Sequence, residues 1–121
     1  MSWLASLPHQ IPFRAASAVT SRDERSITGT FVWTANETLP PELMLVEAMA
    51  QFAGGLAFHA QGHGFLTGID RCEVTQAIQA GDAISVHVTL EADFGGIFKF
   101  SGKASLDGVE IGHGLFYLAA P

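Results

Sequence analysis

An α+β fold, with a curved antiparallel sheet wrapped around one long buried helix, follows from three features of the sequence. The stretch from Leu43 to about Ala60 is helix-forming and apolar on nearly every side, which calls for burial all round rather than along one amphipathic face. Two strand-like segments precede it and about four follow, with no second helix between them. Charged residues are only 15% of the 121-residue chain against 48% hydrophobic, more apolar surface than a chain this small can hide in its own core. The length fits one domain, residues 1–121, and a second subunit is expected to cover part of the apolar excess.

The elements read as follows. Met1 to Pro12 is a short helical turn and loop around Trp3, Leu4 and Leu7, punctuated by Pro8 and Pro12. Arg14–Val19 and Ser26–Thr34 suit strands, joined by the polar connection Ser21–Arg25. The loop from Asn36 opens a helix, since Pro41 fits the first helical position and Glu42 complements the positive end of the helix dipole. A membrane span needs about 20 apolar residues, and this run is shorter and carries Glu47 and Gln51. Gly54 and Gly55 weaken the helix by about 1 kcal/mol each, tolerable where another backbone approaches closely. The segment Gln61–Gly64 ends it. Phe65–Ile69 is a short strand and Ala80-Gly81-Asp82 a turn. Ile84, Val86, Val88 and Leu90 alternate with polar or small residues. After the Gly95-Gly96 break, Phe98, Phe100 and Gly102 alternate with Lys99, Ser101 and Lys103. Asp107-Gly108 is a hairpin turn before a last strand, Val109–Leu118. One sheet curled around one helix is the hotdog architecture, and two half-sheets joined edge to edge would account for the sparse surface charge.

Charge and cysteine content remove several function classes. Six Lys+Arg against twelve Asp+Glu give a net charge of −6, with neither the basic stripe of a nucleic-acid binder nor the cationic cluster that anionic lipid requires. Cys72 is the lone cysteine, so no internal disulfide forms and a reducing compartment fits; without a CxxC partner or nearby base it reads as a packed thiol. Met1–Gln10 lacks a positive segment followed by a long apolar core, so no secretory signal is read there and the cytoplasm is the expected location.

Glu47 carries the chemistry. It sits in the second turn of an otherwise uncharged helix with Gln51 at i+4 on the same face. A buried carboxyl without partners resists ionisation and can act as a general acid near neutral pH. Alternatively, Glu47 faces a partly wet groove and hydrogen-bonds Gln51 or backbone.

Five segments resemble the 3-hydroxyacyl-acyl-carrier-protein dehydratases of fatty-acid synthesis. They are Leu7–Phe13, Leu45-Val46-Glu47-Ala48-Met49-Ala50-Gln51, Gly68-Ile69-Asp70-Arg71, Ala80-Gly81-Asp82 and Lys99–Ala104, in the family's order from about Leu7 to Leu118. The resemblance implies the hotdog fold and a thioester substrate, on acyl carrier protein or coenzyme A, whose acyl chain enters an apolar tunnel between subunits. It implies a His that takes the proton next to the thioester carbonyl and a helix carboxyl, matching Glu47, that helps the hydroxyl leave as water. Backbone N–H groups at the helix start polarise the carbonyl, and no metal or redox cofactor takes part. Gln51, Trp33 and Gly68 become candidate substrate contacts, and Arg71 and Lys99 candidate carrier contacts.

The family's catalytic His lies in a Gly-His-Phe-Pro stretch shortly before the helix. Here that region reads Phe31 to Pro41 and holds no His. Losing a positioned base removes roughly 10²–10⁴-fold of rate. His9, His87 and His113 are the remaining single candidates, and His59 and His63 have the i,i+4 spacing of a helix-end pair or a metal site. Glu37 is either a solvated loop charge or a carboxylate that activates water, and Trp33 fills the space left by the missing His. Four functions stay open: a self-sufficient lyase with Glu47 as acid, one subunit of a mixed dimer that lends Glu47 to a His-bearing paralogue, a silent acyl-carrier binder, and a thioesterase using Glu47 or Glu37. The assembly is expected to be a homodimer or mixed dimer, or a hexamer of three such dimers.

Overall fold

A computed structural model describes residues 18–33, 40–57 and 65–120. Its elements are β1 (Ala18–Arg22), β2 (Ser26–Val32), α1 (Pro41–Ala57), β3 (Phe65–Val74), β4 (Ala83–Asp93), β5 (Ile97–Leu106) and β6 (Val109–Ala119). All strands join one antiparallel sheet in the order β1-β2-β4-β5-β6-β3. The helix is inserted in sequence between β2 and β3, strands that lie far apart in the sheet.

Period-two alternation decides which side chains meet α1. Ile84, Val86 and Val88 of β4, Phe100 and Ala104 of β5, and Phe116 and Leu118 of β6 are buried. The Phe100 and Phe116 rings stack at 5.7 Å. Alternate positions, among them Lys103, His87 and His113, stand on the outer face.

Glycines let the helix lie close. An added Cβ would stand 2.6 Å from Leu45 Cδ2 at Gly112 and 2.6 Å from Met49 Sδ at Gly102, and at Gly29 it would collide with the Phe52 ring. Leu45, Met49 and Phe52 recur at i, i+4 and i+7, so a single helical stripe is seated on the sheet. Twelve of the seventeen α1 residues are buried, as the all-round apolar pattern requires. No helix among the described residues is long and apolar enough to cross a membrane.

Three boundaries differ from the sequence expectation. β2 stops at Val32, because the Trp33 backbone turns to bond Asp82 O and Gly81 N. β1 runs on to Arg22, so the β1–β2 turn shrinks to residues around Asp23, whose carboxylate accepts from the Arg25 and Ser26 backbone N–H groups. β3 extends to Val74 rather than ending at Ile69. Its register slips against β6 between Leu66 and Gly68 and again between Ile69 and Arg71, and these bulges break the alternation that marks a strand. The Asp107-Gly108 hairpin forms as expected, both residues having positive φ (51° and 82°). The proposed strand start at Arg14 and helix end at Gln61–Gly64 lie outside the described residues.

Candidate functional site

The N-terminal turns of α1 face the edge strand β3 across a cleft of about 390 Å³. Pro40, Glu42, Leu43 and Val46 form one wall and Ile69, Asp70, Arg71 and Cys72 the other. Pro41 has no N–H to give, and the N–H groups of the first helical turn have no partner within the helix, so this end of α1 offers backbone donors to a carbonyl oxygen. Ile69 and Cys72 point inward because they pair with Phe116 and Gly114 of β6. The Cys72 thiol donates to the Glu42 carbonyl oxygen at 3.2 Å. Burial, then the Glu42 charge, pushes its pKa up to about 11. The thiol therefore stays protonated near neutrality and is no nucleophile, in line with a packed cysteine.

Glu47 is half-buried and lies one turn below Leu43, beside the cleft rather than among the residues that line it. It is about 200° of helical rotation from both Leu45 and Met49, on the flank turned away from the sheet. Gln51 shares that flank and is 1% exposed. Neither of its amide atoms, Nε2 or Oε1, has a hydrogen-bond partner. The Glu47–Gln51 hydrogen bond that the spacing allows is thus not made, and an amide able both to donate and to accept is left open in an apolar setting.

The other sequence candidates are spread out. Trp33 is buried beside Phe31, the ring centroids 6.1 Å apart, at the end of β2. Gly68 pairs with Tyr117 on the outer face of the sheet and does not line the cleft. Lys99 is also on that face, its ammonium 5.9 Å from the Tyr117 ring centroid. Arg71 lines the cleft and also an outer hollow of about 240 Å³, shared with Ser101, Lys103, His113 and Leu115. It therefore reaches both faces of the edge strand.

The two described histidines both stand on the outer face of the sheet. His87 Nδ1 is 2.7 Å from Thr28 Oγ1 on the outer face. His113 lies between Glu73 (3.3 Å) and Glu110 (3.6 Å) on the same face. Both are separated from α1 by the sheet. His9, Glu37, His59 and His63 are outside the described residues, and among those described no cluster suited to a metal ion occurs.

No family model matches the chain. Curated relatives do. The 3-hydroxyacyl-acyl-carrier-protein dehydratase FabZ of Sinorhizobium fredii (strain NBRC 101917 / NGR234) is 32% identical over 121 residues, covering 87% of this chain and 78% of the relative. That of Rickettsia bellii (strain RML369-C) is 30% identical over 118 residues, covering 84% and 81%. The chain belongs to the FabZ dehydratase family.

Solved structures agree on the fold of this FabZ-family chain. The dehydratase heterocomplex ApeI:P from Xenorhabdus doucetiae superposes with a TM-score of 0.80 at 18% identity, covering 100% of this chain and 91% of that one. Zebra fish thioesterase superfamily member 2 gives 0.72 at 12% identity, covering 98% and 91%. Both likenesses mark the hotdog fold. Two residues escaped the sequence reading: Glu42 as a cleft wall, and Tyr117 on the outer face, whose hydroxyl bonds the cleft residue Asp70 across 47 positions of sequence. Glu42 carried a signal, its place in the first helical turn; no local pattern marks Tyr117.

Proposed function

We propose that the chain is one hotdog domain of a dimeric dehydratase that removes water from a 3-hydroxyacyl thioester, borne on acyl carrier protein or coenzyme A. The supporting observation is the pairing of a half-buried Glu47 with a buried, unpartnered Gln51 on one flank of an apolar helix. In this reading the thioester carbonyl oxygen accepts from backbone N–H groups at the start of α1, which acidifies the adjacent carbon. A base takes a proton from that carbon, the double bond forms, and the C3–O bond breaks as the Glu47 carboxyl gives its proton to the departing hydroxyl. Gln51 holds the hydroxyl, donating through Nε2 and accepting through Oε1. Trp33 shapes the acyl pocket, and Arg71 and Lys99 meet the acidic carrier. No metal or redox cofactor is needed.

A partner-dependent form of this reading has its own support. The segment from Phe31 to Pro41 has no His, and His87 and His113 stand behind the sheet. The base then comes from a second hotdog chain, as a heterocomplex such as that of the Xenorhabdus doucetiae dehydratase would allow. The test is hydration of crotonyl-coenzyme A and crotonyl-carrier protein by the chain alone and mixed with a His-bearing paralogue. Glu47→Gln should abolish turnover in whichever setting shows it while leaving the fold intact. Unchanged turnover removes Glu47 from the mechanism; release of free thiol replaces the lyase by a thioesterase, and binding without turnover leaves a silent carrier binder.

A further inference from the structure

The Ala80-Gly81-Asp82 segment, one of those that carry the family resemblance, lies outside the cleft. It closes the connection from β3 to β4 as a four-residue turn. The Asp82 N–H donates to the Gln79 carbonyl oxygen at 3.0 Å, and Gly81, third in the turn, has a φ of 94°, the left-handed value that a type II turn demands there. The Asp82 carboxylate reaches back over the turn and accepts from the Gln79 N–H through Oδ2 at 2.8 Å. Gln79 and Asp82 thus seal the turn from both sides. What the sealed turn holds is Trp33. The Trp33 N–H donates to the Asp82 carbonyl oxygen at 2.9 Å, and the Trp33 carbonyl oxygen accepts from the Gly81 N–H at 2.8 Å.

We infer that Asp82 is a positioning residue that limits the acyl-chain length the protein accepts: it locks the turn that fixes the Trp33 backbone, and with it the indole. The role rests on the reading of Trp33 as part of the acyl pocket. The ladder between β2 and β4 ends with Val32 opposite Ala83. One residue further on, the two bonds to the turn take over from that ladder. Phe31 and Trp33 are alternate residues and both face the core, at 1% and 5% exposure. A tryptophan held at its N–H and its carbonyl yields only by rotation of its side chain, and the Phe31 ring, 6.1 Å away between centroids and tilted by 40°, stands against it. An acyl chain long enough to reach the indole must displace it, against a clasp closed by a charge-assisted bond from Gln79 to Asp82. A short chain never meets that resistance.

In the full chain, Asp82→Ala should lower the hydrogen-exchange protection of the Gln79, Gly81 and Trp33 amides about fivefold, the equivalent of one ordinary net hydrogen bond, with β5 and β6 unchanged. Asp82→Asn, whose side-chain oxygen still accepts from Gln79, should restore it. Calorimetry with crotonyl-coenzyme A and 2-octenoyl-coenzyme A reads the length preference. In Asp82→Ala the affinity for the longer thioester relative to the shorter should rise about two- to fivefold, since displacing the indole no longer works against the full clasp. Trp33→Phe should relax the preference while leaving Gln79 as protected as in the wild type, and adding Asp82→Ala to it should change the preference no further. Wild-type protection in Asp82→Ala overturns the role, as does a loosened turn with an unaltered length preference. A wild type that binds neither thioester overturns the acyl-pocket reading and the length role together, and protection at Gln79, which needs no ligand, tells that result apart from failure of the clasp.

Discussion

Gly112 and Gly114 are alternate residues of β6 on the side facing α1, and alanine at each should have opposite consequences. At Gly112 the new Cβ would stand 2.6 Å from Leu45 Cδ2 and 2.8 Å from the Glu73 carbonyl oxygen. Carbon atoms pack best at about 3.5–4.0 Å, and neither neighbour can retreat easily. Leu45 is fully buried and Glu73 pairs with His113 in the β3–β6 ladder. Overpacking of this kind costs about 1–3 kcal/mol, and the obstructing backbone puts Gly112→Ala in the upper half, about 2–3 kcal/mol. At Gly114 the nearest atoms are Arg71 O at 3.5 Å, Met49 Sδ at 3.6 Å and Cys72 Sγ at 3.8 Å, ordinary contacts. Gly114→Ala should be neutral or stabilising by about 0.5–1 kcal/mol, since glycine loses more backbone freedom than alanine on folding. Urea unfolding at one fixed protein concentration reads the difference as a midpoint about 1–2 M lower for Gly112→Ala than for Gly114→Ala. The two sites share strand and face, so propensity cancels. Equal midpoints would show that Leu45 is not seated on Gly112, and the placement of the Glu47 turn that depends on it would fail as well.

Two further outcomes follow from buried groups. Gln51→Leu removes an amide with no partner and should stabilise the ligand-free protein by about 1–2 kcal/mol in urea unfolding while abolishing crotonyl-coenzyme A binding; a loss of stability would mean that the amide is satisfied in solution. The Cys72 thiol titrates at about 11 in the folded chain against an ordinary 9.0, so the folded state holds this proton more tightly than the unfolded one. Its contribution to stability is whole below about pH 9 and is lost as the pH climbs through about 11. Cys72→Ala should flatten the alkaline limb of the stability–pH curve, and a limb of unchanged slope would assign that loss to other groups.

Much of the fold was legible because single-strand and single-helix patterns are local. Pro41 and Glu42 marked the start of α1, Ile84, Val86 and Val88 marked the buried side of β4, and Asp107-Gly108 marked the last hairpin. The sequence expectation for β3 is too short because the bulges at Thr67 and Asp70 each shift the parity, so the inward Ile69 between them falls out of step with Leu66, Cys72 and Val74. The site was legible in its helical half alone. Glu47 and Gln51 are one turn apart, a spacing that sequence states directly. Which face Arg71, Lys99, His87 and His113 occupy depends on pairings between distant strands, and no window of sequence contains both partners. The same distance hid Tyr117 from view.

The strand order also sets a timetable for synthesis. β4, β5 and β6 pair with sequence neighbours across tight turns, so this meander closes with little loop entropy. β3 has no seat until the far end of the polypeptide emerges, since Phe65 pairs with Ala119 and Val74 with Gly112. On the ribosome the side of the helix that β3 and β6 cover therefore waits until Val109–Ala119 has emerged. The chamber beside it is the last region to be built, and trimming β6 takes away the strand on which β3 is seated.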